Sequence, residues 1–257
     1  MRIVKHTFVF GMFLLLVTLS GCATIPEVQG YRNTQIQGYV VRVKTDFAKT
    51  QPKVVKKILR ALKEDLHMIN STLPAPTLSA LKQTIIWVEP QTPAVADSFS
   101  GRGVVYHVSD KWLAEHGFLP EKAQGIQICN AKDYLNWRSH QMALLHEFCH
   151  AYHYIIGFDR PDVVDAYKAA KKAKLYERVE YVLAEPGQLK RAYALNNPRE
   201  YFAELSEAYW GRNDYSPFMR EELRKYDPIG YELIEHLWHL STQEIEQIKA
   251  ELKTVDD

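Results

Sequence analysis

A helix that must be buried and still reach an open cavity is the tightest constraint on this chain, and five residues impose it. His146-Glu147-Phe148-Cys149-His150 sets two histidines at i and i+4, one above the other on a helix, with a glutamate beside the first. Both imidazoles can then hold one metal ion while Glu147 stands next to the water it carries, a zinc-peptidase signature. With ten histidines in 257 residues, composition alone gives roughly 0.03 such matches. Met142, Leu144, Leu145, Phe148 and Cys149 surround the histidines with apolar side chains, so the helix is largely buried, and Gly157 can end it.

A catalytic zinc takes three protein ligands and leaves a fourth position to water, so one ligand must come from elsewhere. His153 lies on the same helix, but one further turn along, about 5 Å past the His146–His150 pair; it reads as a solvent-facing or outer histidine rather than a ligand. Downstream, Asn197 can cap a helix that starts at Pro198, with Glu200 and Glu204 one turn apart on one face. Glu200 also suits a capping box, and Glu204 with Glu207 suits a solvated stripe. Against this, Tyr201, Phe202, Leu205, Ala208, Tyr209 and Trp210 require much of the helix to be buried, and a carboxylate there needs a partner such as a metal or its histidine.

His146-Glu147-Phe148-Cys149-His150 together with Tyr193, Asn197, Glu200, Phe202, Ala203 and Glu204 resembles the catalytic domain of the anthrax lethal factor group of zinc peptidases. The resemblance covers roughly the last 120 residues at the level of motifs. It implies His146, His150 and Glu200 as zinc ligands, Glu147 as general base, Tyr193 as a hydroxyl that stabilises the oxyanion, and Glu204 as an outer carboxylate. Cys149 departs from the pattern, standing where that group carries glycine, and the toxin's receptor-binding and translocation parts have no counterpart. The expected activity is zinc-dependent hydrolysis of a peptide or protein substrate. The alternatives are an envelope lipoprotein with a structural zinc site or a partner-binding role, and a metal-free module in which the histidines are core residues; an intact Glu147 counts against a purely structural zinc.

The chain opens with an address. Arg2 and Lys5 precede an apolar stretch from Phe8 to Leu19, and Leu19-Ser20-Gly21-Cys22 resembles a bacterial lipobox. Residues 1–21 are thus expected to be a lipoprotein signal peptide, with Cys22 lipid-modified and the protein held to a membrane outside the cytoplasm, Ala23 being compatible with the outer membrane. Charge is balanced, 32 Lys and Arg against 31 Asp and Glu, which gives no basic field for nucleic acid. Cys129 and Cys149 remain as either a disulfide or two buried thiols.

Residues 22–37 read as a polar tether. Strands are expected at residues 39–43, 85–88, 104–108 and 126–129, and a helix over 53–73, stopped by Pro74 and Pro76. From residue 139 the pattern is helical, over 162–175, 198–210, 217–225, 231–240 and 242–253. The expected class is α+β: a zincin-like domain over 38–257, with a sheet-containing half (38–138) and a helical half (139–257) that holds the metal site.

Overall fold

Alternation and turn chemistry build the sheet from its first hairpin. The structure, a computed structural model, describes residues 26–91, 103–138 and 142–254. Strand β1 (Tyr31–Ile36) pairs antiparallel with β2 (Tyr39–Lys44) across Gln37 and Gly38, both at positive φ (53° and 85°), the backbone a two-residue hairpin demands. Residues 31–36 of the expected tether are therefore a strand. Its polar sequence, Tyr-Arg-Asn-Thr-Gln-Ile, suits an edge strand that contributes backbone pairing and little core. Residues 1–25, on which the expected signal peptide and Cys22 fall, lie outside the described residues, and none of the described helices is long and apolar enough to cross a membrane.

Strands β3 (Ile86–Val88), β4 (Val104–Tyr106) and β5 (Ile126–Ile128) complete a mixed sheet in the order β1-β2-β3-β5-β4. β2, β3 and β5 run parallel, and β4 returns antiparallel to β5 as the far edge. Val41, Val43, Ile86, Val88, Ile126 and Ile128 join one core cluster with Val55, Ile58, Leu62, Leu66 and Ile69 of α2 (Pro52–Thr72). These side chains recur at helical spacing on α2, and each fully buried one contributes about 1.5–3 kcal/mol. Short helices α1 (Thr45–Thr50) and α3 (Ala75–Leu81) flank α2. Pro76 does stop α2 from continuing, but it stands in the first turn of α3, where its missing N–H costs nothing.

The alternate residues form a row across the opposite face, Arg42, Trp87, Gln127 and Val105 in register. Helix α4 (Asp110–Glu115), capped by Ser109, and a 3₁₀ turn (Pro120–Lys122) follow β4, and Lys122 is buried. Its ammonium pairs with Glu89 at 2.5 Å, both side chains 4 % exposed. Burial raises the Glu89 carboxyl, yet Lys122 and Tyr31 more than reverse this and hold it below its usual range. Gln127 donates to Glu89 and meets His107 at 2.7 Å, so a polar network closes the second face, although the Nε1 of Trp87 in the same row has no hydrogen-bond partner among the described residues.

Helix α5 (Ala131–Trp137), capped by Asn130, leads to the helical half: α6 (Ala143–Ile156), α7 (Pro161–Lys172), α8 (Pro198–Trp210), α9 (Arg220–Tyr226), α10 (Pro228–Trp238) and α11 (Thr242–Lys253). The described residues thus form an α+β fold of one five-stranded mixed sheet and eleven α-helices. α6 lies between sheet and helices. Phe148 meets Tyr39 of β2 with ring centroids 5.1 Å apart, while Tyr152 stacks on Trp238 of α10 at 4.6 Å. α10 can approach α8 closely because position 230 is glycine; a Cβ there would lie 2.5 Å from Leu205 and from the Tyr201 hydroxyl.

Candidate metal centre

α6 is apolar on nearly every side, so its polar groups are held by neighbours rather than by water. It ends at Gly157, whose φ of +100° no side-chain-bearing residue adopts easily. His146 and Glu147 are buried and His150 is partly so. α8 runs alongside, started by Asn197, whose side-chain oxygen accepts from the backbone N–H of Arg199 and Glu200. That cap sets the direction in which Glu200 leaves the helix, and Glu200 reaches the histidines instead of closing a capping box.

One Glu200 oxygen, Oε2, lies 3.0 Å from His146 Nε2 and 3.3 Å from His150 Nε2. Ligand atoms about 2.0–2.1 Å from a tetrahedral zinc stand about 3.3 Å from each other, so both Glu200–histidine distances have the spacing of ligands of one ion. All three donor atoms fall within 4.8 Å of one another. Burial raises the Glu200 carboxyl, and hydrogen bonding to His146 and His150 outweighs it, holding the group ionised well below the usual carboxylate range. An ionised carboxylate with two imidazoles is a donor set suited to a divalent cation.

The other face of His146 is equally defined. Its Nδ1 lies 2.5 Å from Glu207 Oε1 and 3.7 Å from Glu204 Oε1. Glu207 is thus the carboxylate nearer to this histidine, with the expected Glu204 beside it on α8. Both glutamates are buried, which excludes the solvated stripe. Without an ion Nε2 can donate to Glu200; with one bound, an Nδ1–H held by Glu207 would leave the Nε2 lone pair to the metal. Replacing Glu207 by Gln is expected to weaken metal binding about 10–100-fold. Metal-competition titration against a chromophoric chelator measures it, and unchanged affinity would deny Glu207 that part.

Glu147 lines the same cavity as the triad, and its Oε2 accepts a 2.7 Å hydrogen bond from the Tyr106 backbone N–H on β4. Tyr193 heads a 3₁₀ turn (Tyr193–Leu195), its ring centroid 6.2 Å from that of His146. The cavity, about 220 Å³, is also lined by Val104, Asn197 and Arg199. His146, Glu147, His150, Tyr193 and Glu200 thus line one cavity, Glu204 lies behind His146, and Cys22 falls outside the described residues. The bond between the β4 edge and Glu147 leaves no mark in the sequence.

Two neighbours of the triad differ from expectation. His153 neither faces solvent nor takes an outer hydrogen bond; it is fully buried between Phe202, 4.5 Å away, and Phe158, 5.1 Å away. Among the described residues neither of its ring nitrogens has a hydrogen-bond partner. Desolvation, with nearby His150 and arginines, lowers its pKa to about 3 from the ordinary 6.5. The unfolded chain therefore takes up this proton below pH 6.5, whereas the folded chain resists until about 3, and stability falls as pH drops through that window. At pH 5 the loss is about 2 kcal/mol. A His153→Leu variant should lack it, seen as a shallower acid limb in urea unfolding; parallel limbs would contradict the assignment. Cys149 is also fully buried, its thiol pushed well up by desolvation and by Glu207, so it stays protonated. Cys129 and Cys149 are both free, which resolves their pairing.

No family model, no curated protein and no solved structure matches this chain.

Proposed function

We propose that this chain is a zinc-dependent peptidase of zincin type, akin to the lethal factor catalytic domain, lipid-anchored through Cys22 outside the cytoplasm. The observation that carries the reading is the meeting of His146 Nε2, His150 Nε2 and Glu200 Oε2 in the cavity that Glu147 and Tyr193 also line. His146, His150 and Glu200 would hold the ion, which supplies Lewis acidity, polarising a peptide carbonyl and making water acidic near neutrality. Glu147 accepts the proton of the attacking water and passes it to the leaving amine. The Tyr106 N–H keeps that carboxylate aimed into the cavity. Tyr193 donates its hydroxyl proton in a hydrogen bond to the oxyanion, a contribution of roughly 3–4 kcal/mol where such donors have been removed. Glu207 holds His146 in one tautomer throughout.

The test is to purify the whole chain in non-ionic detergent, measure zinc per molecule, and assay a broad peptide library. Near-stoichiometric zinc with cleavage that requires Glu147 supports the proposal. Zinc without such cleavage would favour a structural ion, and the absence of bound zinc would remove both zinc readings.

A further inference from the structure

The metal cavity opens past Tyr106, Val108, Phe158 and Arg199 into a second cleft of about 720 Å³, since these four residues line both. The first space is too small for a peptide segment, whereas the second lies in the range that encloses ligands of several hundred daltons. We propose that this cleft binds an anionic stretch of the peptide substrate, next to the bond being cut, and that Arg199, Lys249 and Lys253 recognise its acidic side chains. The proposal rests on the peptidase reading and adds a substrate class to it.

Charge is the first reason. The cleft is lined by those three cations and by one carboxylate, Asp159, against an apolar floor that includes Leu252 and Tyr154. Lys249 also pairs with Glu246 at 2.8 Å, outside the cleft lining. Geometry at Arg199 is the second. Its backbone N–H is fixed by the Asn197 cap that also fixes Glu200, and its guanidinium lies 4.2 Å over the Phe158 ring. Its carboxylate neighbour Asp159 is 3.7 Å away and 94 % exposed, a weak pair in water. A planar cation that is stacked in place but loosely paired keeps its N–H fork for an incoming carboxylate. Its position is the third reason. Arg199 lines both spaces, so an acidic side chain that it holds lies in the larger cleft next to the metal cavity.

The probes are fluorescent peptide pools of equal length, with apolar residues at alternate positions and either Glu or Gln at the others, all C-terminally amidated. Binding is read by anisotropy on the zinc-loaded, full-length Glu147→Gln variant, so that turnover plays no part. The Glu pool should bind on the order of ten-fold tighter than the Gln pool at low salt, the size of one charge-assisted contact, and lose this lead as salt rises. Arg199→Gln, and separately Lys253→Gln, should bring Glu-pool affinity toward that of the Gln pool. Equal affinity of the two pools, binding of neither, or a lead that survives both substitutions overturns the proposal. So does a Gln pool with a free C-terminus that outbinds the amidated Glu pool, since a terminal carboxylate would then be the group recognised. Glu147-dependent cleavage by the parent chain without preference between pools leaves the peptidase reading standing and removes this one. An acidic preference in binding without such cleavage removes the peptidase reading and leaves only a cleft that binds acidic peptides.

Discussion

Glu147→Gln should leave zinc bound and lower kcat/KM for peptide cleavage by on the order of 10³-fold, within the range that a positioned general base contributes. Glutamine keeps the shape of the side chain and an oxygen that can accept the 2.7 Å bond from Tyr106 N–H, so the cavity keeps its form. Only the ability to take a proton is lost. Zinc content and cleavage must be measured on the same preparation. A variant that retains its zinc and stays within a few-fold of the parent would show that Glu147 is not the base, whatever the ion does.

Glu200→Ala should have the largest effect on the metal itself. It removes one of three donors and also the partly buried anion between His146 and His150, so affinity should fall by more than the roughly 10–100-fold expected for an outer carboxylate. Glu204→Ala and His153→Ala should weaken binding less. Glu204 stands 3.7 Å from Nδ1, behind the ring rather than at the Nε2 side, and His153 packs between two phenylalanine rings. A reversed order would show the third ligand to be misassigned. Competition titration at one pH ranks all three variants, and pH must be held because the histidines bind metal only when neutral.

What the residues predict and what they miss divide on a physical line. Periodicity along one segment is written in the chain, so α6, α8 and α11 fall where Leu144 to Ile156, Pro198 to Trp210 and Thr242 to Lys253 place them. The approach of one segment to another is not. His153 looks like a candidate for solvent until Phe202 of α8 and Phe158 close over it, and helical spacing alone cannot choose between Glu204 and Glu207, which differ by less than one turn. Strand β1 escapes for another reason. Arg32, Asn33 and Gln35 face water on an edge, so hydrophobic alternation is weak, and the signal lies in Gln37-Gly38, whose backbone suits a tight turn. The Glu89–Lys122 pair, 33 residues apart, has no local signature at all.

The hydrogen bond from Tyr106 to Glu147 ties the open edge of the sheet to the group expected to move the proton. β4 is three residues long, so a backbone that adds to this edge lies within one peptide unit of the carboxylate. An inhibitor need not compete for the ion. A strand mimic that draws β4 outward by a fraction of an ångström would disarm the base from the side, and its selectivity would come from the edge rather than from affinity for zinc.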